Sequence, residues 1–193
     1  MACRNFPRPH AVCFLASWFA LCFAAAAAAA PPKEFLTEKE IEKIQNNPEI
    51  HRRVKLYMEY AALRLKTAED RLSGTESEPG DPLEFFAPED MLDGYRRILE
   101  SVMINLEDAY EKADPYEKAR VRSALKSLKS TMESSLPRLE ILKKIAEEKD
   151  KEALWDLATE GLEISRAALE GADSGISSLE EEPDPEDKKA KKK

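Results

Sequence analysis

The sequence predicts an all-α fold, an antiparallel up-and-down bundle of about four main helices with a short helix before them. Three observations carry that expectation. Ile50, Val54, Tyr57, Ala61, Leu65, Ala68 and Leu72 recur at spacings of three and four, the period of one helix face. Asn47-Pro48 and Asp114-Pro115 each place a capping residue before a proline, the order in which helices begin. Nowhere do β-branched residues alternate with polar ones over four or more positions, so no strand is expected. Stacked helical hairpins are the second arrangement compatible with this pattern.

The chain opens on a segment that is not part of the bundle. Arg4 and Arg8 precede nineteen uncharged residues, Val12 to Ala30, which end in seven alanines and run into Pro31-Pro32. Basic, then apolar, then small is the layout of a secretory signal, and the alanines supply several Ala-x-Ala cleavage frames. Residues 1–30 are therefore expected to be removed on export. Retention as an anchor is the other reading, because about 20 apolar residues span a bilayer. Leu21 before Cys22 is too bulky for a lipid-attachment site. The expected location is periplasmic or extracellular.

The first helix should start at Thr37. Thr37 and Glu40 have the spacing of a reciprocal capping box, and Leu36 and Ile41 flank it in the staple positions. Asn46-Asn47-Pro48 ends this helix and should open the second, 48–72, with Asn47 as its cap. Leu56, Tyr60 and Leu63 widen the apolar stripe of the second helix, which suits several neighbours rather than one coiled-coil partner.

Residues 73–87 break the pattern with Gly74, Pro79, Gly80 and Pro82. Within this break Leu83, Phe85 and Phe86 form an apolar knot. It either plugs one end of the bundle or presents a docking patch to a partner. The third helix, 88–113, carries Leu92, Tyr95, Leu99, Val102 and Leu106 on one face, with Gly94 weakening it by about 1 kcal/mol relative to alanine. The fourth runs from Asp114 to about Glu148, with Leu125, Leu128 and Met132 in the core; Pro137 should kink it or split it in two. Asp150 should cap the last helix, which turns Leu154, Leu157 and Ile164 inward and stops at Gly171. The bundle domain is thus 31–171. Residues 172–193 are expected to form a disordered tail, acidic from Glu180 to Asp187 and lysine-rich from Lys188.

Composition narrows the functional classes. Beyond residue 30 the chain keeps 28 of its 30 basic residues and all 38 acidic ones, a net charge of −10. That disfavours nucleic acid and anionic lipid as partners, and contact with a membrane is expected only through an uncleaved signal. Cys3, Cys13 and Cys22 all lie in the signal, so disulfides and thiolate metal sites are not expected. His51 is the one imidazole beyond it, beside Arg52 and Arg53 at a helix start. No catalytic motif, metal-ligand spacing or phosphate-binding glycine loop occurs. The carboxylate rows Glu107, Asp108, Glu111 and Asp156, Glu160, Glu163 read as solvated helix faces. No cofactor is expected.

Two functions fit. The first is a non-enzymatic interaction or structural module of the cell envelope, its partner an unidentified protein or envelope component. The second is a small-ligand binder with a pocket between helices, lined by Tyr57, Tyr60, Tyr95, Tyr110 and Trp155, whose buried hydroxyls would need bonds.

Overall fold

Five helices supply all the regular structure among residues 34–181, the part of the chain that the computed structural model describes. They are α1 (Glu38–Gln45), α2 (Ile50–Leu72), α3 (Pro88–Lys112), α4 (Pro115–Glu148) and α5 (Glu152–Glu181). The expected signal segment and the lysine-rich end lie outside the described residues.

The capping box at α1 forms as its spacing predicts. Thr37 Oγ1 accepts from the Glu40 N–H at 3.3 Å, and the Glu40 carboxylate accepts from the Thr37 N–H at 2.7 Å. Asp114 caps α4 by accepting from the N–H groups of Tyr116 and Glu117, at 2.8 and 2.9 Å. The start of α2 differs from expectation: Glu49 is the cap residue and makes no side-chain cap bond. Asn47 instead turns back, its amide donating to the Lys43 carbonyl at 2.7 Å, so it closes α1 rather than opening α2.

α4 is one helix through Pro137, not two. Its buried positions explain why the proline does not divide it. Val121, Leu125, Leu128, Met132, Ser135, Leu139, Leu142 and Ala146 alternate by four and three, a continuous seam against neighbouring helices on both sides of Pro137. The packing of that seam outweighs the loss of one backbone hydrogen bond. The turn after α4 corrects another expectation. Asp150 does not cap α5; it ends α4, in a left-handed conformation with φ 51°. The Asp150 N–H reaches the Glu147 carbonyl and the Lys151 N–H the Ala146 carbonyl, the two bonds of a Schellman ending.

α5 is longer than its sequence suggests. It passes through Gly171 and ends at Glu181, burying Ala172 and Leu179 beyond the expected boundary. Expected tail residues 172–181 are therefore helix. A glycine ends a helix only when no packing surface continues past it, and here α4 supplies one: the Arg122 guanidinium bonds to the Leu179 carbonyl.

Successive helices alternate in direction, but the neighbours are those of two hairpins laid side by side. α2 packs on α3 and α4 on α5, while α2 lies beside α4 and α3 beside α5. Ion pairs fix the relative directions. Arg120 of α4 meets Glu49 at one end of α2, and Arg138 makes a two-pronged bond to Glu69 near the other, so α2 and α4 run parallel. Lys151 near Glu89 and Arg96 near Glu160 show the same for α5 and α3. The helices α3 and α4, consecutive in the chain, are in only slight contact.

The core contains Val54, Ala61, Leu65, Leu92, Tyr95, Leu99, Val102, Leu106, Leu125, Leu128, Met132 and Leu154 as expected. Ile50, Tyr57, Leu72, Leu157 and Ile164 are only partly buried and pack against its edge. On α5 the inward face is rotated, so that Leu162 and Ser165 are buried instead, beside Ala158. The reason is close approach: a Cβ at Gly161 would lie 3.1 Å from Leu139, and one at Gly175 2.9 Å from Leu125. Small residues must face α4, and the branched ones are pushed aside.

Candidate functional site

The knot in residues 73–87 does not act as a unit. Leu83 is buried and Phe86 is half-buried against the core, while Phe85 is 83% exposed. The docking patch expected from Leu83, Phe85 and Phe86 thus reduces to Phe85. Arg71 organises the segment. Its guanidinium donates to the Glu84 carbonyl at 2.9 Å, to Ser77 Oγ at 2.8 Å and to the Leu83 carbonyl. Leu83 is thereby drawn inward and its neighbour Phe85 turned out. Phe85 stands at a shallow cavity of about 610 Å³, edged by Arg71, Lys149 and Lys151 as well as Glu76 and Glu84. The mixture of charges gives this cavity no marked preference.

A second cavity, of about 450 Å³, is apolar. It lies between the C-terminal halves of α3 and α5 with α4 as its floor. From α3 come Met103, Leu106, Glu107 and Tyr110, and from α4 Leu125 and Leu128. The α5 wall is made of alanine, glycine and serine, from Ala167 to Ser178. Such residues leave room because they project little beyond the backbone. Sequence reasoning misses this cleft, since it ends α5 at Gly171. A signal is nonetheless present, in the unbroken spacing of small residues Ala168, Ala172 and Gly175.

The aromatic residues expected to form one pocket are dispersed. Tyr95 is fully buried among α3, α4 and α5, its hydroxyl 2.7 Å from Ser165 Oγ, which in turn donates to the Gly161 carbonyl at 2.6 Å. Burial pushes the Tyr95 hydroxyl above its ordinary pKa, opposed by bonds to Ser165 and Ser135 and by the charge of Arg138. Tyr57 is half-buried and Trp155 lies under the Lys143 ammonium, 4.5 Å from the ring centre. Tyr110 alone of the five reaches the apolar cleft. Tyr60 has a buried hydroxyl without a hydrogen-bond partner, and burial raises its pKa, with the Glu40 carboxylate adding to the effect.

Near Tyr60 lies a buried ion pair that the sequence does not disclose as such. Arg64, 2% exposed, donates to Glu40 Oε2 at 2.6 Å and to the Phe35 carbonyl at 3.1 Å. One carboxylate therefore caps α1 and neutralises a cation inside α2. Gly94 of α3 faces the Arg64 side chain, where a Cβ would lie at an ordinary van der Waals distance of 3.7 Å, so the contact does not itself require a glycine. The clue in the sequence is Arg64 itself, placed between Ala61 and Ala68 on the apolar stripe.

Several of the remaining titratable groups form surface pairs. Asp108 bonds to Lys112, Glu160 faces Arg96 at 3.4 Å, and His51 lies 3.7 Å from Glu49. Among the described residues no group of histidine, cysteine, aspartate and glutamate is arranged to hold a metal ion. No described helix is long and apolar enough to cross a membrane. Comparison with protein-family models, with curated proteins and with solved structures finds no match.

Proposed function

We propose that the protein is an exported, non-enzymatic helical module that binds another protein or a component of the cell envelope. The observation that carries this reading is the open groove between α3 and α5, whose apolar floor of Leu106, Leu125, Leu128, Ala168 and Ala172 is buried while Glu107 and Tyr110 stand exposed at its rim. Export is supported by the order of residues 1–32 and by the capped helix that begins at Thr37. The non-enzymatic reading is supported by the single imidazole beyond residue 30 and the absence of a catalytic motif.

Cell fractionation with N-terminal sequencing tests the export half: the expected product is exported and begins between residues 25 and 31. In-cell crosslinking tests the binding half. Recovery of no partner, together with turnover of a substrate by the purified protein, would refute it. A small-ligand reading is favoured by one observation, that a volume of about 450 Å³ falls in the range of small-molecule sites. Its prediction is saturable binding of an apolar dye, displaced when the cleft is filled.

A further inference from the structure

We propose that the peptide bond between Asp81 and Pro82 is a self-cleavage site, cut by the Asp81 carboxylate with Glu84 as proton donor. This activity goes beyond the binding function above and does not depend on it. In an Asp–Pro pair the carboxylate can attack its own main-chain carbonyl through a five-membered ring, and proline's tertiary amide nitrogen leaves more readily than an ordinary one. The chain contains three such pairs, Asp81–Pro82, Asp114–Pro115 and Asp184–Pro185, the last outside the described residues. The two described pairs have different surroundings. Asp81–Pro82 lies in an exposed turn entered through Gly80, at φ 87°. The Asp81 carbonyl accepts from the Glu84 N–H at 2.9 Å, and Asp81 Oδ1 accepts from the Leu83 N–H at 2.8 Å. The first donor stands where negative charge develops when that carbonyl is attacked. The second fixes one carboxylate oxygen and leaves Oδ2 for the attack. The Glu84 carboxylate in turn accepts from the Gly80 N–H at 2.9 Å, so residue 84 reaches back over the bond with both its backbone and its side chain. Arg71 steadies the turn by donating to the Leu83 and Glu84 carbonyls. At Asp114–Pro115, by contrast, two N–H groups share Oδ1, the Lys118 N–H ties the carbonyl into α4, and no capping box closes over the bond.

Oδ2 of the ionised Asp81 bonds to the Asp81 carbonyl carbon, and the Glu84 N–H holds the tetrahedral oxyanion. The bond from that carbon to the Pro82 nitrogen then breaks. Its electron pair stays on the nitrogen, which takes the proton of the Glu84 carboxylic acid. The products are a cyclic anhydride at Asp81, a secondary amine at Pro82 and an ionised Glu84. One water opens the anhydride: its oxygen adds to a carbonyl carbon, and Glu84 takes back a proton. One peptide bond is thus hydrolysed by one water, and Glu84 returns to its starting state. The charged groups that share a cavity with Glu84 are Arg71 of α2, Glu76 of the same segment, and Lys149 and Lys151 after α4.

The test incubates the purified full-length chain at about pH 5 and about pH 7, where carboxyl proton donors differ in occupancy, and follows the products by intact mass spectrometry. The folded chain should release a piece beginning at Pro82 at least about tenfold faster than the same chain in concentrated urea, because the turn holds the reacting groups together. The cut at Asp81–Pro82 should likewise outpace any cut at Asp114–Pro115 by about tenfold. Asp81→Ala removes the attacking carboxylate and should abolish the product. Glu84→Gln keeps an oxygen to accept from the Gly80 N–H, so the turn is preserved. It should slow cleavage about tenfold or more and remove the rise in rate from pH 7 to pH 5, which loss of a merely structural contact would not do. Equal rates in the folded and urea-unfolded chains would reduce the site to the general acid lability of Asp–Pro bonds and overturn the proposal. Absence of the Pro82 piece at both pH values, or its persistence in Asp81→Ala, would overturn it too. A Glu84→Gln protein with the original rate and pH dependence would overturn the assignment of the proton donor.

Discussion

Replacing Arg64 or Glu40 should be among the most damaging single changes available in this protein, and replacing both should be much milder. Glu40 Oε2 takes two charge-relevant bonds, from Arg64 at 2.6 Å and from the Thr37 N–H at 2.7 Å, at a residue only 8% exposed. Arg64→Met leaves a carboxylate buried without its cation, and Glu40→Gln leaves a guanidinium that already has one nitrogen, Nη1, without a partner. Breaking one side of a buried pair costs about 3–5 kcal/mol, whereas apolar or neutral replacement of the whole pair is often nearly neutral. The double variant keeps the cap, because the glutamine amide oxygen still accepts from Thr37. Its cost should be about 1 kcal/mol, the size of a weakened cap. The coupling energy is then at least about 5 kcal/mol, well beyond the roughly 0.5 kcal/mol seen between independent sites. For a chain of this size each kcal/mol shifts Tm by about 2–4 °C, so each single variant should lose about 6–20 °C. Urea unfolding at pH 7, followed by far-UV circular dichroism and by Trp155 fluorescence, measures all four corners of the cycle. A double variant as unstable as the two singles added together would refute the reasoning.

Other single-residue changes probe the turns and the helix contacts. Asp150→Gly should stabilise the protein by about 0.5–1 kcal/mol in thermal or urea unfolding, because glycine adopts the left-handed conformation at φ 51° without the Cβ penalty. Gly171→Ala should also stabilise by up to about 1 kcal/mol, whereas Gly161→Ala should gain little or lose stability, since its Cβ would press on Leu139 at 3.1 Å. Tyr95→Phe should cost about 1–2 kcal/mol by removing the hydroxyl that meets Ser165. The same variant should change the alkaline limb of stability. Tyr95 has a pKa raised in the folded state, so its contribution is complete below the unfolded value of about 10 and falls as pH rises from there to the folded value. Phenylalanine removes that proton, and the slope of unfolding free energy above about pH 10 should flatten by up to about 1.4 kcal/mol per pH unit.

The features legible in the sequence are local ones. The box of Thr37 and Glu40, the Asp114 cap, the α2 stripe and the absence of strands depend on residues within a turn or two of one another, and all are present among the described residues. The failures share a cause. Gly171 does not end α5 and Pro137 does not split α4, because the two helices make the most extensive helix–helix contact among the described residues. Asp150 has the chemistry of either a helix start or a left-handed ending, and only the turn joining two packed helices selects the second. Of the docking triplet, Leu83 is sorted from Phe85 by Arg71, whose three bonds to residues 77–84 no spacing rule anticipates.

By itself the sequence determined the helical class, where most helices start, the segregation of every cysteine into residues 1–30, and the acidity of residues 31–193. These are properties of composition and of neighbours along the chain. The tertiary structure alone decided that α2 lies beside α4 and α3 beside α5, that Arg64 is buried on Glu40, and that a cleft opens along the small residues of α5. An amphipathic stripe specifies that a helix must be covered but not by which helix. That choice comes from close approach and charge pairing between residues far apart in the chain, such as Gly161 with Leu139 and Glu69 with Arg138.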